Sequence, residues 1–497
     1  MKKKMMLNTI TSLLLQATTV ICGFILPRMI LASYGSDVNG LVQSISQFLG
    51  IITFLELGVG QVIQSALYKP LARKDKESIS KVVASGDKFF RRIAYVLVVY
   101  VILLVIGYPF IINQSFDWMY TGILIISISM SSFAQYFFGV VDRLLVNADQ
   151  RGYVQYGTQI LAILLNTIVG VILIKLGASI HIVKLASAII FMLRPVVIRL
   201  YVRKNYDIDR KIQFVGEPIK QKWNGIAQHV SAFILTGTDN IVLTLFSTLE
   251  NVSIYSVYYL IIYGIRQLFE SSTNGLHSIV GDLWAKKELV KLNRIYGYIE
   301  IVLHFGTVFF YTCTVVLLFP FIRVYTNGVN DINYIQPMFG ILLSLAYALQ
   351  CIRTTYNMVI LAGGHYKQTQ ISHIVAAGLN LGLSVVLVNW LGLVGIAIGT
   401  LIAMTYQTVW MAWYTSKNLI KWPFVNFIKL CVIDVITAGL IVLATSWISL
   451  TEVTYLAWFI MAVKVGIIAF VIVAIMALLF YKNRVLGIVR GLLNRRK

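Results

Sequence analysis

Charge is what this sequence has least of. Only 12% of its 497 residues are charged while 58% are hydrophobic, against about 25% charged in soluble proteins. That balance excludes an ordinary soluble domain and predicts an all-α polytopic membrane protein. A helix needs about 20 apolar residues to cross the hydrocarbon core, and the chain offers roughly fourteen such segments separated by short turns. The first two fall near residues 7 to 32 and 38 to 66, the seventh near 223 to 248, and the last two near 424 to 449 and 455 to 481.

Other shortages exclude particular chemistries. The four cysteines, Cys22, Cys313, Cys351 and Cys431, lie within apolar spans and lack metal-ligand spacing, so they read as small buried hydrophobes. The six histidines are scattered, with no ligand pair at helical spacing. His277 is the one to watch, with core packing as its ordinary role, and no metal site is expected. The cytoplasmic segments contain no Gly-rich phosphate loop with its lysine, which argues against an ATP site and leaves no cofactor implied. The predicted external loops "SYGSDV", "NQSFDW" and "NWLGL" are short and poor in acids, bases and nucleophiles. A membrane polymerase or glycosyltransferase would need catalytic groups gathered there, so no catalytic residue is expected.

Cations are plentiful by comparison, with 42 Lys and Arg against 20 Asp and Glu. With the amino terminus inside, roughly 33 of the 42 cations fall on one side and about 3 on the other. The net charge of +22 therefore reports topology, not nucleic-acid binding, and both termini are expected in the cytoplasm. The opening "MKKKMMLNTITSLLLQATTVICGF" has basic and apolar regions but no small-residue cleavage site, and reads as an uncleaved first span. Residues Ile79, Val82, Val83, Phe89 and Phe90 suggest either a short amphipathic helix on the inner surface or a solvated linker.

The chain repeats itself. Gly50 and Gly264, Glu56 and Glu270, Ala148 and Ala362, and Asn166 and Asn380 are each 214 residues apart, and the first six spans align with the next six in order. This predicts a six-helix bundle over 1–203, a cytoplasmic linker over 204–222, a second bundle over 223–418 that repeats the first, helices thirteen and fourteen over 419–481, and a basic tail over 482–497. An even number of spans makes the halves parallel repeats, a design in which cargo binds between halves that rock around it.

Ionisable residues inside spans carry the functional expectations, because each needs a partner, a proton or water. Glu56, in "ITFLELGVGQVIQS", and its repeat mate Glu270 stand about eighteen residues into their spans, roughly 27 Å along the helix and near the inner leaflet. Gating or ion coupling, or simple packing near the cytoplasmic gate, are both open to them. Gly58 and Gly60 permit close approach or local unwinding beside Glu56. Asp239, in "ILTGTDNIVL", falls near the middle of span seven, where it is either a cation or proton site or the partner of an intramembrane arginine. Asp434 has the same two readings. The basic residues within spans are Arg28, Arg194, Arg266, Arg353 and Lys464. Arg266 lies four residues before Glu270, so the two can share one face and neutralise each other. Arg28 follows Pro27, which should kink the first helix. Arg194 can snorkel to the inner surface, and Lys464 sits in the extra helix pair.

The segments "FILPRMILASYGSDVNGLVQSISQFLGIITFLELGVGQVIQSALYKPLARKD" and "ILAGGHYKQTQISHIVAAGLNLGLSVVLVNWLGLVGIAIGT", with the six-plus-six-plus-two arrangement, resemble the Wzx-type O-antigen and capsule flippases. These are polysaccharide transporters of the multidrug, oligosaccharidyl-lipid and polysaccharide (MOP) superfamily. The resemblance spans nearly the whole chain and implies a MATE-like, V-shaped pair of bundles with helices one, two, seven and eight around a cavity. It also implies a bacterial cytoplasmic-membrane location and a lipid-linked oligosaccharide as cargo. Membrane lipids, a polysaccharide polymerase and other assembly proteins would be its partners, and spans thirteen and fourteen resemble a pair that forms a lipid-tail groove. In such flippases the cavity is cationic because the cargo carries a pyrophosphate. Arg28 and Arg266 fit that role, since a guanidinium can pair two phosphate oxygens at once. Glu56, Asp239 or Glu270 would couple the step to H+ or Na+. The rival reading is a cation-coupled drug antiporter of the same superfamily, in which acidic groups dominate the lumen.

Overall fold

A computed structural model describes every residue except 1, 56–58, 113–115, 214–230, 232, 236 and 495–497. Among the described residues every regular element is helical. Contact clustering divides the chain into two compact units, one of Met1–Phe233 with Thr248–Ser253 and the other of Ile234–Ser247 with Ile254–Lys497.

The first unit contains α1 (Lys2–Gly50), α2 (Val59–Arg73), α3 (Lys76–Ile111), α4 (Trp118–Ala134), α5 (Val140–Ala148), α6 (Gly152–Lys175) and α7 (Ile180–Asn205). Helical geometry in α1 breaks at Gly35, whose φ of 81° is open to glycine, and not at Pro27 as the sequence suggested. Asp75 caps α3 by accepting from the Ser78 amide at 3.0 Å, with Glu77 in the first turn to complement the helix dipole. Between α4 and α5 the helix widens into a π turn over Gln135–Gly139. Arg199 Nη1 on α7 reaches the Phe138 carbonyl there at 3.4 Å. α1 lies along α6, its start tied by Asn8 Oδ1, which accepts from the Tyr153 amide at 2.8 Å.

The segment around Ile79 is neither a surface helix nor a linker. It is the first part of the 36-residue α3. Ile79, Val82, Val83 and Phe90 are buried in a core with Ile63, Leu67, Val141 and Leu145. Its apolar stripe faces protein, so burial replaces the proposed contact with lipid.

The second unit contains α8 (Asp239–Phe246), nearly all of α9 (Leu249–Ala285), α10 (Leu289–Tyr325), α11 (Pro337–Ala362), α12 (Tyr366–Leu391), α13 (Leu393–Asn418), α14 (Phe424–Thr445) and α15 (Tyr455–Asn494). Helix starts recur along the chain: Lys76, Gly152 and Ile180 open helices 213, 214 and 213 residues before Leu289, Tyr366 and Leu393. α12 and α13 turn into one another at Gly392, whose φ is 54°. They pack tightly enough that a Cβ on Gly399 would stand 2.9 Å from the Ser384 backbone nitrogen.

Twelve helices are long and apolar enough to cross a membrane among the described residues. The expected number was about fourteen, and the difference has two sources. Spans one and two form one helical run through the Gly35 break, and span seven is interrupted by residues outside the description, 223–230, 232 and 236. Tyr95, Val99, Leu103, Ile106 and Phe110 on α3, and Leu456, Phe470 and Leu479 on α15, are exposed apolar side chains, as a lipid-facing surface requires.

Candidate functional site

In the second unit, the charged residues expected within spans come together along α9. Tyr255, Tyr259 and Tyr263 follow one another at four-residue spacing, their rings stacked with centroids 5.7 and 5.2 Å apart. At one end of this ladder Tyr255 donates to Asp239 Oδ2 at 2.7 Å. At the other, the Arg266 guanidinium lies over Tyr263, 5.6 Å from its centroid. Tyr347 from α11 stands edge-on to Tyr259 at 5.9 Å.

Arg266 Nε donates to Glu270 Oε1 at 2.7 Å, the ion pair that their spacing allows. With its amide oxygen turned toward the guanidinium, Gln350 accepts from Nη1 and Nη2 of Arg266 at 3.2 Å each. One N–H on each terminal nitrogen is left over from these contacts; the two diverge, so each is a separate donor for an oxygen anion. Arg353, half-buried on α11 with Nη1 3.8 Å from Met404 Sδ, feels the charges of both Arg266 and Glu270.

Asp239 opens α8 and is 2% exposed. Its expected partner was an arginine or an ion, but it makes no ion pair among the described residues. Besides Tyr255, Oδ2 accepts from Thr400 Oγ1 at 3.2 Å, and Asn380 donates to Thr400 at 3.0 Å. Oδ1 has no hydrogen bond among the described residues. Hydroxyls from α9 and α13 thus hold the carboxylate, and its position in the first turn of α8 places it at the positive end of the helix dipole.

The remaining expected residues are dispersed. Arg28 is half-buried on α1, in the first unit. Glu56 and Gly58 lie outside the described residues. His277 is half-buried on α9, and Lys464 is exposed on α15. Asp434 is paired with a histidine and not an arginine: its Oδ2 stands 2.6 Å from His304 Nδ1.

Sequence reasoning missed two groups of charges. In the first unit, Arg210 bridges Asp87 through Nη1 and Asp142 through Nη2, while Arg199 Nη1 is 3.9 Å from the other oxygen of Asp142. Around it, Lys76 pairs with Asp207 at 2.8 Å, Tyr206 donates to Asp149 at 2.7 Å, and the Asp209 amide bonds to Ser80 Oγ. Residues 206–210 are thereby strapped across the ends of α3, α5 and α7. Burial works against the Arg210 charge, but Asp87 and Asp142 more than offset it and raise its pKa. The exposed Asp207 carboxyl is held below its usual range by the hydrogen bond and charge of Lys76. The second group, in the other unit, centres on Glu300 and His304. Its sequence signal was an acid and a base four residues apart in an apolar span.

No family model matches the chain, and no curated protein does. Solved structures do. The chain is similar to the lipid II flippase MurJ in an inward closed conformation, with a TM-score of 0.75 and 17% identity over 97% of this chain and 100% of that one. It is also similar to an inward-facing multidrug resistance MATE transporter of the MOP superfamily, with a TM-score of 0.55 and 16% identity over 80% and 94%. A third similar structure is a mutant of the Vibrio cholerae MATE transporter VcmN, with a TM-score of 0.53 and 13% identity over 84% and 99%. The fold is the MurJ and MATE fold.

Proposed function

We propose that the protein is a flippase of the bacterial cytoplasmic membrane that moves a polyprenyl-pyrophosphate-linked oligosaccharide across the bilayer by alternating access. Both termini are cytoplasmic, and the protein acts as a transporter without a catalytic step. The observation that carries the reading is the extent of the fold match. The lipid II flippase accounts for 97% of this chain, whereas the two MATE structures leave about a fifth to a sixth unmatched. A lipid-linked sugar needs a polar route for its headgroup while its tail stays in hydrocarbon. Arg266, with two remaining N–H donors and Arg353 close by, offers phosphate oxygens a cationic contact, and the half-buried Tyr259 and Tyr263 extend that face. Arg28 is the corresponding cation in the first unit.

The test is transbilayer movement of a polyprenyl-pyrophosphate oligosaccharide in proteoliposomes. Arg266→Ala is expected to lower the rate at least tenfold with the protein intact in the membrane, and Arg266→Lys to restore part of it. Full transport by the alanine variant removes Arg266 from the route.

The second reading is a cation-coupled drug antiporter. Asp239 favours it, because its Oδ1 is buried without a hydrogen bond among the described residues, as a carboxylate kept for a proton or Na+ would be. Drug efflux driven by an imposed proton or sodium gradient, with no movement of the lipid-linked sugar, selects that reading.

A further inference from the structure

Glu300 and His304, four residues apart on α10, Tyr356 on α11 and Asp434 on α14 form one buried polar chain in the second unit. His304 and Glu300 are fully buried, and Tyr356 and Asp434 nearly so. Its steps are short: Asp434 Oδ2 to His304 Nδ1 at 2.6 Å, His304 Nε2 to the Tyr356 hydroxyl at 3.3 Å, and that hydroxyl to Glu300 Oε1 at 3.0 Å. Trp422, just before α14, closes the end by donating its indole N–H to Glu300 Oε2 at 2.7 Å.

Hydrogen counting along this chain, with Tyr356 donating to Glu300 and every contact taken as a hydrogen bond, assigns a proton to the His304–Asp434 contact. Glu300 receives a hydrogen on each oxygen, from Tyr356 and from Trp422, and so acts as a carboxylate. Tyr356 has spent its hydrogen on Glu300, so its oxygen accepts from His304 Nε2–H. That leaves His304 Nδ1 facing Asp434 Oδ2. A neutral imidazole with its hydrogen on Nε2 and an ionised aspartate would set two lone pairs against each other at 2.6 Å. One proton has to sit between them, whether written as a carboxylic acid donating to imidazole or as an imidazolium donating to carboxylate. The other aspartate oxygen, Oδ1, is buried with no hydrogen bond among the described residues.

We propose that the His304–Asp434 pair is a proton-binding site, occupied by one exchangeable proton that holds α14 against α10. When the proton leaves, no electron pair moves elsewhere. The site loses one positive charge, the two acceptors repel, and the contact between the helices loosens. Tyr356 and Glu300 provide a relay, because each can pass a hydrogen to the next atom in the chain. The other titratable neighbours are Tyr296 beside Glu300 and Tyr356, Cys431 beside Asp434, and Arg484 with Tyr481 on α15. Arg484, which lies over the Trp422 ring at 4.8 Å, supplies the countercharge to Glu300. None of these donates to Asp434, so the shared proton has no substitute.

At the 214-residue spacing Tyr356 corresponds to Asp142 and Glu300 to Gly86, the neighbour of Asp87, so the first unit also carries a buried polar network at this place, closed there by Arg210 and here by the shared proton. The proposal holds whichever cargo the protein carries.

The test is nitrogen NMR of the full-length, 15N-histidine-labelled protein in lipid bilayers, with His304→Gln to assign the signal. Raising the pH is expected to move the His304 resonances in one step as the shared proton leaves, and in Asp434→Asn that step should come at lower pH, with at least a tenfold loss of proton affinity. Resonances that stay constant as the pH is raised, or a step unmoved in Asp434→Asn, overturn the proposal. Should His304→Gln fail to fold, Tyr356→Phe assigns the same signal through its lost hydrogen bond. Spin labels at Lys291 and Val425 report the helices directly: their separation is expected to grow across the same titration, and a constant separation overturns the holding role.

Discussion

Replacing Arg210 by alanine should unfold the first unit at markedly lower temperature, and the structure sets the size of the effect. The Asp142 side chain is fully buried and Asp87 is 10% exposed, and Arg210 binds both. Removing one partner of a buried ion pair costs about 3–5 kcal/mol, because the stranded charge keeps its desolvation penalty. Arg199, 3.9 Å from Asp142, takes up part of that charge and puts the expectation near the lower end, about 3 kcal/mol. For a unit of this size, that corresponds to a fall of about 6–12 °C in Tm. Thermal unfolding of the purified protein in detergent, followed by exposure of buried cysteines, measures it. Adding Asp87→Asn and Asp142→Asn to Arg210→Ala should recover most of the loss, since neutral amides need no guanidinium. A single Arg210→Ala variant that melts within about 2 °C of the parent, or a triple variant with no recovery, would falsify this account of the strap.

Two further substitutions separate function from packing. Asp239→Asn should change stability by less than about 1 kcal/mol, because the amide oxygen can still accept from Tyr255 and Thr400. If Asp239 couples transport to an ion, the same variant loses its dependence on the proton or sodium gradient, and an unchanged dependence makes the residue a polar anchor. Gly40→Ala should cost about 1–3 kcal/mol, since its Cβ would collide with the Leu249 carbonyl within the first unit. Gly23→Ala, with nothing within 4 Å, is the matched control and should be neutral or slightly stabilising in the same melting experiment.

The helices were legible because crossing hydrocarbon imposes a length and an apolar composition on each, and a sequence window reads both. The Arg266–Glu270 pair was legible for a similar reason, since four residues on a helix is one turn. Local pattern failed where the deciding contact is distant. Ile79, Val82 and Val83 have the stripe of a surface helix, and only the arrival of Ile63 and Val141 makes them core. Asp142 and Glu300 sit in apolar runs whose partners, Arg210 and Tyr356, come from other segments 68 and 56 residues away. Pro27 drew attention as a helix breaker although a proline can ride within a long helix, while Gly35, inside a short polar loop motif, is where the backbone turns.

The 214-residue repeat has a consequence for how many times the Asp239 carboxylate occurs in the chain. Asp239 and Thr400 correspond at that spacing to Ile25 and Ala186 in the first half, so only Asn166 remains there of the polar trio that Asn380 completes in the second. Two identical half-length chains would have to carry this carboxylate twice or not at all. One polypeptide that contains both halves carries the acid once, so an ion held at Asp239 would be held once per chain and not twice.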